Sequence, residues 1–423
     1  MAKKKIQKPH REVTKRQLSH WQQQKKRQRI VFSLGILIVS AILVIIGLGW
    51  YFGYYQPLHQ IVMSVGEAEF DMNYYTKTLE YYGKDQSDSY IYSLANEVEV
   101  IIARNELIKN GALTLGISIS DEETDEQLNS YDPPLDTDFR EMARANLLLA
   151  KLLDEHFEQE VPLAAEQRHV MALFLESESL AEQIRTRIEA GENFADLAGE
   201  LSLDRYSKDE NGDLDWHPED VLTEVSGSSI MSDYVFNSEI GVLSQPIYDE
   251  EKTKNVGYWL VEVVEKQQDP EQVYIQAILL GNEEKAQDVK ARLENGEDFV
   301  TLANELSLDE VSKENGGDIG WLNTEDVLPG ATYAAWADIF GLETGIISDP
   351  IRDDTQVTAG GYWILNILDK DDNKVISEDD REFLKFKVMN EWILSLWDNA
   401  EGEIDIYLTD EMKLSAIERV IGR

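Results

Sequence analysis

Histidine, cysteine and clustered carboxylates are the side chains that most often carry chemistry, and this sequence of 423 residues uses the first two sparingly. It contains no cysteine, which excludes disulfides, thiolate metal sites and cysteine nucleophiles. Its six histidines include no pair spaced four residues apart, which excludes a helical zinc site of the H-E-x-x-H kind. The sequence therefore predicts neither a bound metal nor any other cofactor.

Acidic residues are abundant, but their spacing does not predict an ion site. The stretch DRYSKDENGD (204–213) has a calcium-like composition and lacks the terminal glutamate ligand. The sequence has no phosphate-binding glycine loop and no G-x-S-x-G elbow. The formal net charge of −42 favours solubility, with recognition of basic polypeptides as the alternative, and it argues against nucleic-acid binding beyond residue 29.

The most informative pattern is an internal repeat. Residues 181–216 match residues 286–321 at a constant offset of 105, so that Asp204 pairs with Asp309. Two further stretches match, namely 236–247 with 340–351 and 256–266 with 360–370. The chain therefore contains two successive copies of about 100 residues each.

Each copy shows the same order of predicted elements. A short apolar run at 169–175, or at 274–280, predicts a buried strand. An amphipathic helix follows, with Ile184, Ile188 and Phe194 on one face of the first copy. Further helical turns, a loop rich in Gly, Asn and Asp, and two final strands complete the copy. This order predicts an α+β fold with helices flanking an antiparallel sheet.

The two copies resemble the parvulin, or PpiC-type, rotamase domain. The likeness rests on the ordered pattern L-x-x-G-x-x-F-x-x-L-A-x-x-L-S-x-D, then G-G-D-x-G-W, F-x-L-x-x-G-x-x-S-x-P-I and G-Y-x-I. The resemblance implies a parvulin-like domain 1 at 163–268 and a parvulin-like domain 2 at 272–371. It groups the chain with the SurA/PrsA/PpiD-like peptidyl-prolyl isomerase chaperones.

The chemistry implied by that resemblance is rotation about X–Pro bonds, which faces a barrier of about 18–20 kcal/mol. Catalysis needs an apolar pocket for the proline ring and polar groups that favour the twisted amide. The family's site centres on two histidines. Here the first histidine position holds Ala172 or Ala277, and the second holds Trp259 or Trp363.

Other positions of the family's site are kept. The resemblance implies Asp204 and Asp309 as candidate catalytic residues. The candidate substrate-binding residues are Met231, Phe236, Trp259, Phe340 and Trp363. Each Asp also fits a purely structural role as a loop cap.

Three interpretations of function stay open. Isomerase activity could persist without the histidines, because bond rotation requires no proton transfer. Alternatively, the domains could be catalytically silent and bind unfolded polypeptides as a chaperone. The third is a scaffold protein that reuses the fold.

An uncharged apolar segment precedes the repeats at residues 30–55. It is long enough for a transmembrane helix that crosses a hydrocarbon core of about 30 Å. Residues 1–29 hold eleven Lys or Arg and one acid, which places this basic tail in the cytoplasm and the bulk of the chain outside the cell membrane. A cleavable signal peptide is the alternative, disfavoured because the segment is long and no A-x-A site follows. Gly49 and Gly53 form a small-xxx-small motif compatible with a homodimer, and the favoured alternative is that glycine is simply tolerated in a membrane helix.

Helical patterns flank the repeats. Residues 56–162 resemble the N-terminal helical chaperone module of SurA-like proteins. Residues 376–423 predict a C-terminal helical segment, which in that family packs onto the module; an independent helix is the alternative. Aromatic residues that could meet unfolded chains, or belong to the core, are Tyr74, Tyr75, Tyr81 and Tyr82. The predicted partners are unfolded or proline-containing polypeptides, and the lipid bilayer at residues 30–55.

Overall fold

A computed structural model describes residues 15–268 and 271–422, without the side chains of residues 15–31, 35, 258–264 and 268. The basic side chains of the predicted tail therefore lie outside the described part. The helices are α1 Lys15–Trp50, α2 Gln56–Leu58, α3 Met72–Tyr82, α4 Asp88–Leu94, α5 Val98–Thr114, α6 Asp121–Asn129, α7 Arg140–Leu152, α8 Glu158–Glu160, α9 Glu178–Glu189, α10 Phe194–Leu201, α11 Arg205–Asp209, α12 Glu219–Ser226, α13 Ser229–Asn237, α14 Glu283–Glu294, α15 Phe299–Leu306, α16 Glu310–Glu314, α17 Glu378–Asn399 and α18 Asp410–Ile421.

The strands are β1 Ile61–Val65, β2 Ala68–Asp71, β3 Ala164–Leu175, β4 Asp213–His217, β5 Ile247–Gln268, β6 Glu271–Leu280, β7 Asp318–Asn323, β8 Ile351–Val375 and β9 Ile404–Ile406. Short π-helical or 3-10 turns extend or link the helices at Tyr51–Tyr55, Thr137–Phe139, Leu153–Phe157, Thr324–Val327, Ala334–Trp336 and Ile339–Gly341. The chain forms two compact units. The first comprises Met1–Glu158 and Met389–Arg423, and the second comprises Gln159–Val388.

The first unit contains a small sheet that the helical prediction for residues 56–162 missed. Its strand order is β2-β1-β9, and both pairings are antiparallel. The hairpin forms because two short extended runs flank Gly66, whose φ of +57° suits a tight turn. The C-terminal strand β9 completes the sheet through the pair Met63 and Ile406.

The core of the first unit joins its two chain segments. Tyr75 and Ile102 are buried together with Ile417 of α18. Gly111 permits a close approach of α17, because a Cβ there would stand 2.7 Å from Cζ2 of Trp392. The prediction that the C-terminal segment packs onto the N-terminal module is confirmed from Met389 onward, whereas the first turns of α17 belong to the second unit, where Leu384 packs with Val161 and Val221.

The second unit is built on one six-stranded antiparallel sheet that contains both sequence repeats. Its strand order is β4-β3-β8-β5-β6-β7. The predicted first strands of the repeats are confirmed as β3 and β6. The two final strands predicted for each repeat are wrong in detail, because each pair is one long strand, β5 or β8. The connecting residues 249–255 contain neither Gly nor Pro, so no tight turn is favoured and the chain continues extended.

The long strands exchange partners between the repeats. β3 of the first repeat pairs with β8 of the second, with Phe174 opposite Trp363. β6 of the second repeat pairs with β5 of the first, with Leu279 opposite Trp259. Gly361 makes one exchange sterically possible, since a Cβ there would stand 2.5 Å from Cζ of Phe174.

We call the two ends of this sheet, each together with the helices and loops that flank it, half-sheet A and half-sheet B. Half-sheet A comprises β3, β4, residues 247–249 of β5 and residues 361–375 of β8. Half-sheet B comprises β6, β7, residues 257–268 of β5 and residues 351–353 of β8. Each half-sheet therefore receives its last strand from the other repeat.

Helices cover both faces of half-sheet A, as expected for an α+β fold. On one face α9 and α10 bury Ile184 and Leu197 against Leu173. On the other face α12 and α13 bury Leu222 and Met231 against side chains of β3 and of the exchanged strand β8. These are Val170, Ala172, Phe174, Trp363, Leu365 and Ile367.

Candidate functional site

The predicted catalytic aspartates both begin a short helix. Asp204 is the N-cap of α11 and accepts a hydrogen bond from the Ser207 amide at 2.8 Å. Asp309 is the N-cap of α16 and accepts one from the Ser312 amide at 2.7 Å. Aspartate is favoured at this position because its carboxylate satisfies an otherwise unpaired N–H of the first turn. Both residues therefore have the loop-cap role that the sequence left open.

In half-sheet A the buried aspartate also pairs with a half-buried cation. Nζ of Lys252 lies 2.7 Å from Oδ1 of Asp204 and donates to the carbonyl oxygen of Ser226 at 2.6 Å. The same ammonium lies 5.6 Å from the ring centroid of Trp363. Lys252 was missed by sequence reasoning, because the family pattern assigns no lysine at this point.

A second carboxylate anchors the exchanged tryptophan. Nε1 of Trp363 donates to Oδ2 of Asp249 at 3.1 Å, and the Ser228 hydroxyl donates to the same oxygen. The other oxygen of Asp249 accepts from the Lys252 amide at 3.0 Å. Asp249 is only 2% exposed, so water does not reach its carboxylate freely. These protein donors supply the hydrogen bonds that water would give to an exposed carboxylate.

The predicted pocket residues of half-sheet A lie mostly in the interior. Met231 and Trp363 are both 0% exposed. The Trp363 ring packs against Phe174 at a centroid distance of 4.7 Å. Phe236 is half-buried at the edge of the same core, with the Arg168 guanidinium 5.0 Å from its ring centroid. Met231 and Trp363 therefore belong to the packed core, and Phe236 lies at its edge.

The predicted histidine positions on the first strands are also interior. Ala172 and Ala277 are each 0% exposed. The nearby His169 instead points its ring towards Asp213, with Nε2 and Oδ1 2.7 Å apart, and lies beside Trp216. No imidazole replaces the missing pair at these two positions.

Half-sheet B has the same framework, with fewer buried charges among its described side chains. Phe340 is half-buried beside the buried Trp336, and its carbonyl oxygen accepts a hydrogen bond from Nζ of Lys266 at 2.9 Å. The position equivalent to Lys252 is Gln356, whose amide donates to Oδ2 of Asp353 at 3.1 Å. The side chain of Trp259, also predicted to bind substrate, lies outside the described residues.

A cavity that sequence reasoning missed lies beside the segments through which the long strands β5 and β8 pair with each other. It encloses about 870 Å³ and is lined by residues of both repeats, including Tyr248, Lys254 and Tyr362. Lys254 is 2% exposed and donates to the carbonyl oxygen of Gly360. Burial lowers the pKa of the Lys254 ammonium to about 8. No sequence signal could have located this cavity, because it depends on the exchange.

The second unit carries the signature of a known domain family. The sequence profile of the PPIC-type PPIASE domain matches residues 152–267 and 258–371, together about half of the chain. The chain therefore belongs to the PPIC-type peptidyl-prolyl isomerase domain family. Within that family it is a SurA/PrsA-like protein with tandem parvulin-type domains.

Two relatives illustrate the likeness. The foldase protein PrsA of Geobacillus sp. (strain WCH70) is 36% identical over 112 residues, covering 26% of this chain and 37% of the relative. The chaperone SurA of Chromohalobacter salexigens is 26% identical over 286 residues, covering 64% of this chain and 57% of the relative. The chain thus spans less than two thirds of the length of either relative.

Comparison with solved structures adds little. The crystal structure of the peptidylprolyl isomerase PrsA from Bacillus cereus aligns over 86% of this chain and 99% of its own, at 12% sequence identity. The TM-score of 0.28 is too low to support an argument from that alignment.

One helix among the described residues meets the requirements of a membrane span. Phe32–Leu58 is 27 residues long, with a mean hydropathy of 2.7 in its most apolar window and none of that window buried. Length and composition of this kind are consistent with a membrane anchor or with a signal sequence near the N-terminus.

Proposed function

We propose that this protein is a membrane-anchored, extracytoplasmic folding factor of the peptidyl-prolyl isomerase class that binds unfolded polypeptides. Its family membership and the relatives named foldase and chaperone support the assignment. Unfolded clients expose apolar side chains and unpaired backbone groups, and a folding factor must offer surfaces that match them.

The proposed topology places the basic tail in the cytoplasm and the two compact units outside. Its support is the apolar helix Phe32–Leu58 together with the eleven Lys or Arg residues in the first 29 positions. The homodimer suggested by Gly49 and Gly53 stays a prediction. Protease protection in sealed vesicles tests the topology: protease added outside should remove the two units and leave a fragment that includes residues 30–55.

For half-sheet A we propose a catalytically silent, structural role. The observation that supports this proposal is the complete burial of Trp363, which occupies the position of the family's second histidine. Its indole N–H donates a hydrogen bond to Asp249. Asp204 is engaged by Lys252 and by its own helix, which argues for stabilisation rather than contact with a substrate. Met231 accordingly belongs to the core, and Phe236 remains the accessible aromatic candidate of this half.

Half-sheet B is the second candidate, as a retained isomerase site. Asp309 and Phe340 are both partly exposed, and no lysine is present at the position equivalent to Lys252. Rotation about an X–Pro bond can be accelerated by an apolar pocket that stabilises the twisted amide, without proton transfer. Phe340 is the proposed pocket residue and Trp259 its proposed neighbour, with Asp309 beside them.

The deciding experiment measures two activities of the full chain in detergent micelles. Isomerisation of a proline-containing peptide is followed beside suppression of aggregation of an unfolded client. We expect aggregation suppression in the wild type. Loss of turnover in Phe340→Ala, with turnover kept in the matched Phe236→Ala, would establish the isomerase site in half-sheet B. Aggregation suppression without any turnover would leave a silent chaperone, and the absence of both would refute the proposed function.

A further inference from the structure

The first unit contains an aromatic cavity that the family likeness of the second unit does not explain. It encloses about 560 Å³, within the range of about 300–1,000 Å³ that is typical of ligand pockets. Of the four tyrosines noted in the sequence, Tyr75 is fully buried and donates to the Ala95 carbonyl oxygen, whereas Tyr81 and Tyr82 line this cavity.

Local structure explains how the rings come together. Tyr81 and Tyr82 are the last two residues of α3, and Gly83 is its C-cap. The two residues are adjacent in the helix, and their rings are in edge-to-face contact, with centroids 5.1 Å apart and planes at 84°. Phe139 lies 5.9 Å from the Tyr81 ring. The loop after α6 also lines the cavity, through Tyr131, Pro133 and Pro134.

Hydrogen bonds hold these rings in place before any ligand binds. The hydroxyls of Tyr81 and Tyr131 are 3.2 Å apart. The Asn146 side chain links both helical tyrosines, since it donates to the Tyr81 hydroxyl at 3.1 Å and accepts from Tyr82 at 3.2 Å. The pKa of Tyr81 is raised, mainly by burial and secondly by the hydrogen bond with Tyr131, so its hydroxyl stays protonated at neutral pH. The tyrosine rings are therefore held at fixed angles. Beside them lie hydroxyl and amide groups that can donate a hydrogen bond to the backbone carbonyl of a ligand.

The rim of the cavity is predominantly acidic. Its charged lining residues are Glu80, Asp85, Asp136 and Lys84. A second cation, Lys77, lies beside it, with Nζ 3.3 Å from Oε2 of Glu80 and 4.8 Å from the Phe139 ring centroid, which leaves Asp85 and Asp136 as the acids available to a ligand. Hydrogen bonds from the Asp138 amide and the Thr137 hydroxyl lower the pKa of Asp136, which keeps this carboxylate ionised at neutral pH. The rim thus favours a ligand with positive charge close to its apolar part.

We propose that this aromatic cavity binds polyproline II segments that carry a flanking Lys or Arg. Such segments are extended, keep their carbonyls free for hydrogen bonds and lose little entropy on binding, and grooves lined with aromatic rings recognise them. The acidic rim supplies the complement to the flanking cation. The inference rests on the proposed folding-factor function, because it names a class of client segment and a place where the N-terminal module holds it.

Direct binding to the full chain in detergent micelles tests the inference. The probe is a short fluorescent peptide with two Pro-Pro pairs and a terminal Arg. Two matched peptides replace either every proline by alanine or the arginine by glutamate. We expect about tenfold weaker binding or more for each replacement, since ring contacts and charge pairing both contribute. Equal binding of the proline and alanine peptides would overturn the inference, as would tighter binding of a proline-free peptide rich in aromatic residues.

Variants locate the site. Tyr82→Ala should weaken binding of the probe by about 30-fold, as expected for the loss of a central aromatic contact. Tyr131→Phe keeps the ring and removes one hydroxyl, so a change of about two- to tenfold is expected. Tyr92→Ala is the control, because Tyr92 is 49% exposed and does not line the cavity. Equal loss in Tyr92→Ala, or no loss in Tyr82→Ala with an unchanged thermal unfolding curve, would place binding elsewhere and refute the site.

The same samples separate this inference from the proposed function. Suppression of client aggregation by the wild type, without preference for the proline peptide, would refute only the aromatic-cavity inference. Selective binding of the proline peptide without aggregation suppression would instead refute the folding-factor function and leave a peptide-binding module.

Discussion

Half-sheets A and B come from matching sequences and belong to one sheet, yet the equivalent aspartates Asp204 and Asp309 have different surroundings. In half-sheet A, Asp204 is 6% exposed and lies 2.7 Å from Nζ of Lys252. In half-sheet B, Asp309 remains partly exposed, and the position equivalent to Lys252 holds the neutral Gln356. The difference teaches that a capping carboxylate can be buried deeply where a cation accompanies it, because an isolated buried charge costs several kcal/mol.

The comparison also concerns what fills each half. Half-sheet A is sealed by Trp363, a residue of the second repeat that completes the core of the first. Half-sheet B buries Trp336 from a loop that has no tryptophan in the first repeat. Similar sequences therefore produce two different interiors, and the proposed loss of catalysis in one half does not require its loss in the other.

The strand exchange that defines the two halves can be tested by an all-or-none result. In Met171→Cys/Asn366→Cys the two cysteines lie on paired positions of β3 and β8, within the Cα distance of about 7 Å that a disulfide requires. Since the chain has no other cysteine, mild oxidation should give one intramolecular cross-link. Mass spectrometry of peptides under non-reducing conditions would detect it.

The matched control is Met171→Cys/Glu262→Cys, because Glu262 holds the position in the first repeat that corresponds to Asn366. This pair should stay reduced when strands are exchanged. A cross-link in the control pair but not in the first pair would show that each repeat keeps its own last strand.

Trp363→Ala is the substitution with the largest expected cost. Removal of a fully buried tryptophan leaves a cavity and takes one of two hydrogen-bond donors from Oδ2 of Asp249, so the free energy of unfolding of the second unit should fall by about 3–5 kcal/mol. Urea unfolding followed by circular dichroism measures it. Trp321→Ala serves as the control, since Trp321 is 40% exposed and should cost about 1 kcal/mol. Similar losses in the two variants would contradict the sealed interior.

Lys252→Met should cost about 3 kcal/mol, because it leaves the Asp204 carboxylate buried without its cation. Adding Asp204→Asn should recover much of that loss, since the asparagine needs no counter-charge and still caps α11. In half-sheet B, Gln356→Met should cost about 1 kcal/mol, the value of a hydrogen bond. Thermal unfolding of the wild type and the three variants tests this ranking of stability losses. Equal losses at positions 252 and 356 would show that the ion pair stabilises the fold no more than the neutral hydrogen bond does.

Asp309→Ala has the smallest expected effect, about 1 kcal/mol for the loss of an N-cap. Asp309→Asn should restore this stability, because the amide oxygen can accept the same hydrogen bond. Isomerisation measured on the same samples separates capping from catalysis. If Asp309→Asn unfolds like the wild type but no longer isomerises the peptide, the carboxylate has a role beyond the cap.

Much of the architecture could be predicted from local patterns. The first strands β3 and β6, the helices after them and the capping role of Asp204 follow from apolar runs, amphipathic spacing and the residue preferences of helix ends. The packing of the C-terminal segment onto the first unit followed from the family resemblance. The hairpin of β1 and β2 was missed because its strands are short and lie beside strongly helical stretches.

The sequence by itself determined the α+β class, the two repeats, the absence of the histidine pair and the apolar N-terminal helix, because each depends on residue type and short-range spacing. Only the tertiary structure decided which last strand completes which half-sheet, since the copies are so alike that either pairing would satisfy the local pattern. It therefore also decided that Trp363 meets Asp249 and that Lys252 meets Asp204, contacts between residues distant in the chain. The close approach at Gly361 is the steric feature that admits the exchanged strand beside β3.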